Sequence, residues 1–286
     1  MYAVFGASGH TGRATAEALM AKGKDVRVVV RDEAKGELWK KKGAEVAIAD
    51  LSDRESVVRA LTGVEGAFLL VPPQYEAEDM IAAQKPIIDT LAAAVRESGV
   101  PHVVLLSSVG AQHAEGNGPI RSLHAAEKAI GAAARNTTLL RAAYFLENWA
   151  GVLPDAKEKG VLHSFLTPGR AIPMVATQDI GHAAAEALID PPTGTRVIEL
   201  SGPADWTPED VAAAIGKKLG REVKVDPLPL EAVEGVMTAA GLTVGTARLF
   251  REMNDGVNRG HVDFEGGSAL RRRGMLGPQE VLWAMI

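Results

Sequence analysis

Three glycines near the amino terminus, Gly6, Gly9 and Gly12 in "GASGHTG", have the spacing to hold a phosphate. In a strand-loop-helix unit the first glycine permits a tight turn and the second lets a phosphate reach the backbone. The third lets the helix pack closely on the strand. A helix starting at this point adds free N–H groups and a positive dipole end. The first gap is one residue wider than in the common dinucleotide fingerprint, and the G-K-S/T of a mononucleotide loop is missing. Ser8, His10 and Thr11, which lie among the glycines, and Arg13 just beyond them belong to the same expected shelf. The chemistry implied is dinucleotide binding.

A dinucleotide needs further contacts, and each should come from the end of a strand. After the second strand, an acid suits the 2′-hydroxyl of NAD and an arginine suits the 2′-phosphate of NADP. Arg31 fills that place, so NADP(H) is expected over NAD(H). Its guanidinium can grip a phosphate through paired hydrogen bonds and stack on adenine. Arg13 offers either a second positive charge or a surface ion pair. Asp32 is the competing residue, because a shift of register by one would put an acid at the ribose. Asp50 ends the third strand and either accepts from the adenine amino group, with Leu51 beside the ring, or caps the following turn. Val71 and Pro72 end the fourth strand at the carboxyl edge, where ligands of open α/β sheets sit.

The positioning elements follow from the pattern of the first half, in which short apolar runs alternate with helix-like segments. Strands are expected at Met1–Ala7, Asp25–Val30, Ala44–Asp50, Gly66–Val71, His102–Ser108 and Thr137–Phe145. Helices are expected at Gly12–Lys22, at Pro86–Gly99 with proline near its start, and over "LHAAEKAIGAAAR". Beyond Val152 the rhythm breaks into short elements. A helix over Asp179–Asp190 opened by Asp179 as N-cap, a strand over Arg196–Gly202 and a helix capped by Thr207 come next. The fold class is α/β: a doubly wound parallel sheet of the Rossmann type with a small, mostly helical C-terminal lobe. Residues 1–151 form the dinucleotide-binding domain, 174–202 return to it, and 152–286 supply the smaller substrate lobe.

Composition removes several other classes. With 47% apolar and 23% charged residues the chain has the balance of a globular protein. The absence of cysteine excludes disulfides, thiolate metal sites and a cysteine nucleophile. A net charge of −5, with basic clusters as short as Arg271–Arg273, gives no nucleic-acid surface, and that cluster reads as a solvated loop. No apolar run is long enough for a membrane span and no signal segment precedes the first strand, so a cytoplasmic protein is expected. His113, His163, His182 and His261 have no partners at metal-ligand spacing, so no metal is assigned. No G-x-S-x-G elbow is present.

The chain resembles the NmrA-like, atypical branch of the short-chain dehydrogenase/reductase superfamily. The resemblance is carried by "GASGHTG", Arg31, "LLSSVGA", "LHAAEKAI" leading to "TTLLRAAYFLEN", "ATQDIGHAAAEAL" and "IELSGPADWTPEDVAAAIGKKLGREV", and it covers nearly the whole chain. It implies an NAD(P)-binding Rossmann domain and a C-terminal lobe with a cleft between them. Typical members of the superfamily use a serine with Tyr-x-x-x-Lys. Here His124 stands where the tyrosine would be, and Lys128 keeps the lysine place. Residues four apart share a helix face. The resemblance makes His124 the candidate proton donor, Lys128 a contact to the nicotinamide ribose, and Ser107 and Ser108 candidates for holding nicotinamide or orienting a carbonyl oxygen. Tyr144, Phe145 and Asn148, just after the sixth strand, frame the nicotinamide and an aromatic substrate, or else pack a strand-to-loop junction.

Two functional classes emerge. One is an oxidoreductase passing hydride from NADPH to a quinone or similar small electrophile, a step that does not require a strong protein acid. The other is a regulator that senses NADP(H) and binds a protein partner without turnover, which the missing tyrosine favours. A sugar-nucleotide epimerase is more distant, because it relies on that tyrosine.

Overall fold

Runs such as "VRVVV" and "HVVLLSS" are apolar at successive positions, so both faces of their sheet must be covered. The structure, a computed structural model describing residues 1–286, has that arrangement. The first half runs β1 (Tyr2–Phe5), α1 (His10–Ala21), β2 (Val26–Val30), α2 (Glu33–Lys41), β3 (Glu45–Ile48), α3 (Arg54–Leu61), β4 (Gly66–Leu69), α4 (Met80–Ser98), β5 (His102–Ser108), α5 (Arg121–Gly131) and β6 (Asn136–Ala142). The rest runs β7 (Tyr144–Phe145), α6 (Leu153–Lys159), β8 (Val161–Ser164), β9 (Ile172–Val175), α7 (Thr177–Ile189), β10 (Thr195–Ser201), β11 (Asp205–Trp206), α8 (Pro208–Leu219), β12 (Lys224–Pro227), α9 (Val233–Ala239), α10 (Val244–Arg259), β13 (Leu270–Arg273) and α11 (Pro278–Trp283).

Eight strands form one parallel sheet in the order β3-β2-β1-β4-β5-β6-β10-β13. The order reverses between β1 and β4, which opens a crevice at the carboxyl edge of the sheet. Helices α1, α2 and α7 cover one face, where Leu19, Phe68, Leu140 and Ile180 are fully buried. Helices α3, α4 and α5 cover the other, around Leu61, Leu69, Leu91, Leu105 and Ile130. Helices α1 and α7 approach so closely that a Cβ on Gly181 would lie 2.3 Å from that of Ala14. A third apolar cluster, with Trp149, Leu162, Met174 and Ile215, joins α6, α8, α10 and α11 to the two small sheets, β7-β9-β11 and β8-β12.

Four expectations need correction. Helix α4 begins well before Pro86, because the Asp79 carboxylate accepts from Ala82 N at 2.9 Å and starts the helix there, leaving the proline inside it. The stretch "TTLLRAAYF" is two strands, since the chain leaves the main sheet after Ala142 and Tyr144–Phe145 pair with β9. Arg271–Arg273 are solvent-facing but belong to edge strand β13, and charged side chains suit an open sheet edge. Asp179 lies within α7 rather than capping it, and its carboxylate accepts from Met275 N and Leu276 N at 3.0 and 2.9 Å. Thr207 does cap α8, in a reciprocal capping box with Asp210.

Candidate active site

The glycine loop leaves β1 with Gly6 at φ +69°, a left-handed turn that favours glycine. A Cβ on Gly12 would sit 2.4 Å from the Gly6 carbonyl carbon and oxygen and 2.7 Å from Phe5 O. Only a glycine lets α1 rest against the end of its own strand. Gly9 is different: its Cβ would meet only Gly6 O, at 3.4 Å. The fold therefore does not require glycine at position 9, and the space there faces outward. Helix α1 also starts without a side-chain cap, so its first-turn N–H groups are available to an anion. Ser8, Gly9, His10 and Arg13 are exposed around this loop, and Thr11 is buried beneath it. This cradle fits a cofactor pyrophosphate.

Arg31 is exposed at the end of β2. Asp32, its competitor, is committed elsewhere: its carboxylate accepts from Lys35 N at 3.0 Å and caps α2. That bond holds the carboxyl below its usual range. Asp50 accepts the hydroxyl and the N–H of Ser52 through one oxygen, at 2.6 and 2.7 Å, so it does cap the turn. These bonds lower its pKa, and the nearby Arg31 charge adds to them. The second carboxylate oxygen of Asp50 has no role in that turn. Leu51 packs partly into the core beside it. Val71 is buried, while Pro72 is half-buried and its carbonyl accepts from Gln84 Nε2 at 3.1 Å.

At the ends of β5 and β6 the two serines separate, because successive strand residues face opposite ways. Ser108 is half-buried and its hydroxyl donates to Val109 O at 2.9 Å. Ser107, expected to touch the cofactor, is buried and donates to Glu127 Oε1 at 2.6 Å. Its hydroxyl belongs to the protein interior, which corrects that expectation. His124 is half-buried near the start of α5, one turn before the exposed Lys128. His124 Nδ1 lies 2.8 Å from Ala111 O. A carbonyl can only accept, so Nδ1 carries the proton, and Nε2 is left buried without a partner. A neutral His124 therefore presents an acceptor; it donates from Nε2 only when both nitrogens are protonated.

Tyr144 and Phe145 form β7, and Asn148 follows, exposed, in the 3-10 helix Leu146–Val152. The Tyr144 ring lies 6.2 Å from that of Trp149. Tyr144 is closely surrounded, and this burial pushes its hydroxyl up to about 12, so it keeps its proton through neutral pH. The glycine loop, Arg31, Asp50, Val71 and Ser108 thus follow or close β1, β2, β3, β4 and β5 at the carboxyl edge of one sheet, while His124 and Lys128 come from α5 and Tyr144 and Phe145 from the small sheet that follows β6.

Three charged residues went unrecognised in the sequence. Arg141 on β6 donates to both oxygens of Glu127 at 2.9 and 2.8 Å, and to Glu265 at 2.6 Å. Their signal was available, since an arginine within the apolar run "TTLLRAA" must be paired if it is buried.

Comparison with known proteins follows the same lines. The model of the NmrA-like family matches residues 2–265. The chain is 25% identical to NAD(P)H azoreductase of Xenophilus azovorans, over 88% of this chain and 86% of that one. It is 26% identical to quinone oxidoreductase 2 of Escherichia coli, over 91% and 89% of the two chains. Its fold superposes on the crystal structure of the Escherichia coli NADPH-dependent quinone oxidoreductase QOR2 complexed with NADPH, with a TM-score of 0.84 at 24% identity, covering 100% of this chain and 99% of the other. No helix is long and apolar enough to cross a membrane.

Proposed function

The chain belongs to the NmrA-like family, and from that premise we propose that it is an NADPH-dependent reductase passing hydride to a quinone or similar small electrophile. The observation that carries this reading is the contrast between Gly12, whose bareness the packing of α1 on β1 requires, and Gly9, whose bareness no contact requires and which leaves the uncapped start of α1 open to a phosphate. Arg31 takes the 2′-phosphate, and Asp32, held as a helix cap, does not oppose it. Arg13 adds positive charge beside the glycine loop. The second oxygen of Asp50 accepts from the adenine amino group, with Leu51 against the ring. Lys128 holds the nicotinamide ribose, and the Ser108 hydroxyl and the backbone at Val71 and Pro72 border the nicotinamide.

Bound nicotinamide supplies the hydride. The protein's part is orientation and the proton. Tyr144, Phe145 and Asn148 border the substrate, with the Tyr144 O–H available as a donor. His124 accepts a hydrogen bond at Nε2 when neutral, and as imidazolium it gives that nitrogen's proton to the reduced oxygen. Its Nδ1–H bond to Ala111 O holds the ring in one orientation in either state.

The test is the loss of nicotinamide absorbance when the protein is mixed with NADPH and a panel of quinones, with NADH in parallel. NADPH-selective oxidation supports the reading. Tight NADPH binding without turnover on any quinone would overturn it in favour of the regulator, whose partner would be a protein.

A further inference from the structure

The charges beneath the site form a connected row. Ser107 on β5, Arg141 on β6, Glu199 on β10 and Arg271 on β13 are register partners on neighbouring parallel strands, so they project from the same sheet face. Beyond Ser107 their charges alternate, and Arg271 Nε lies 3.3 Å from Glu199. Two further carboxylates close the row. Glu127, from α5, accepts two bonds from Arg141 and one from Ser107, and is as buried as they are. Glu265, from the segment joining α10 to β13, takes the remaining arm of Arg141 at 2.6 Å and is half exposed.

Glu127 is on the same helix as His124 and Lys128. A carboxylate held by three hydrogen bonds fixes the rotation and height of α5, and with it the direction of both side chains. Glu265 lies in a segment that also grips the loop between β5 and α5. Asp263 O accepts from Gln112 Nε2 at 2.8 Å, and His261 stacks on His113 with ring centres 4.1 Å apart. His261 Nε2 lies 2.9 Å from Glu115 O. Gly266 N is tied back to the row through Glu199 at 2.9 Å. That loop carries Ala111 O, the carbonyl that sets the His124 tautomer.

We infer that Arg141 is a positioning residue, and that with Glu265 it latches segment 261–266 onto the site, so that the docking of the C-terminal segment and the setting of α5 with His124 share one guanidinium. The Arg141 guanidinium has no hydrogen bond to His124 or Lys128 and acts through Glu127 on one side and Glu265 on the other. Any kinetic consequence rests on the reductase reading above; the tautomer consequence does not.

Glu265→Ala releases the latch while leaving the buried Arg141–Glu127 pair in place, so the chain still folds. The readouts are the histidine ¹⁵N tautomer spectrum of the cofactor-free full chain, NADPH affinity by fluorescence, and quinone reduction. The expected result is loss of the fixed Nδ1–H signature of His124, with kcat/KM for quinone falling about 10- to 100-fold, the scale of a small misplacement of catalytic groups. NADPH affinity stays unchanged, because the Arg141–Glu127 pair still holds α5 and with it Lys128. Glu265→Gln, which keeps an acceptor for Arg141, restores most of the tautomer signal and the rate. An unaltered His124 spectrum in Glu265→Ala overturns the latch whether or not the wild type reduces quinones. Absent turnover with a lost tautomer signal keeps the latch and removes only the reductase reading.

Discussion

Alanine at Gly9 and at Gly12 should have opposite consequences, and the pair tests the site more sharply than either alone. At Gly9 the backbone has φ −96° and ψ 177°, a conformation open to any residue, and the new Cβ meets one carbonyl oxygen at 3.4 Å. The cost to folding is the small preference for glycine over alanine at an N-cap, about 1 kcal/mol or less. The same methyl occupies the space through which a phosphate reaches the N–H groups of α1. Losing one charged hydrogen bond there costs about 1.5–3 kcal/mol, or roughly 10- to 150-fold in Kd for NADPH. At Gly12 the methyl would lie 2.4 Å from the Gly6 carbonyl and 2.7 Å from Phe5 O. Both are backbone and cannot swing away, so α1 must shift, at about 1–3 kcal/mol or more. Thermal unfolding without cofactor and fluorescence titration with NADPH separate the two effects. Gly12→Ala should melt earlier by several degrees, at about 2–4 °C per kcal/mol for a chain of this size, whereas Gly9→Ala should melt near the wild type and bind NADPH weakly. Wild-type NADPH affinity in Gly9→Ala would refute the phosphate assignment.

Three further outcomes are expected. Arg31→Ala should lose about 1.5–3 kcal/mol of NADPH binding, the value of a charged hydrogen bond, and little NADH binding; equal weakening of both cofactors in parallel titrations removes Arg31 from the 2′-phosphate. His124→Phe should slow quinone reduction with NADPH affinity unchanged, and full turnover would reduce His124 to packing. His102, buried at the start of β5 beside Thr138, is pushed down to about 4 by burial, with the Arg196 charge adding to it. Its contribution to stability is therefore complete above about pH 6.5, where folded and unfolded chains are both neutral there. It is lost as pH falls toward 4, because the unfolded chain takes up the proton first, at a cost approaching about 3 kcal/mol. His102→Asn should flatten that part of a denaturation-against-pH curve, and an unchanged slope would show that His102 titrates alike in both states.

The parallel sheet was legible because strands covered on both faces leave an unmistakable run of β-branched and apolar residues, and the glycine loop because its three positions have separate steric reasons. Local chemistry was readable where a side chain acts on its own neighbourhood, as Thr207 does with Asp210. What escaped was set by distant partners. Asp179 looks like a helix cap until Met275 and Leu276 arrive from nearly a hundred residues away to use its carboxylate. Ser107 and Ser108 are indistinguishable in sequence, and only strand register sends one to Glu127 and the other to the opposite face. The tautomer of His124 depends on a carbonyl in the preceding loop, and neither composition nor periodicity encodes it.

The buried charges beneath that histidine bear on why the latch exists. Removing a carboxylate and a guanidinium from water is costly, and apolar replacements of a buried ion pair are often as stable or more so. Leu105 and Leu139, two positions back on the same strands and the same face, show that apolar side chains pack there readily. Stability alone therefore does not account for Glu127 and Arg141. Apolar side chains would let α5 settle in several closely related rotations. A bidentate pair that also binds Ser107 and Glu265 accepts one. Under the proposed mechanism, a reaction using a single ring nitrogen of His124 and Lys128 one turn away would need that one rotation, and fixing it is the role that the pair would serve in place of stability.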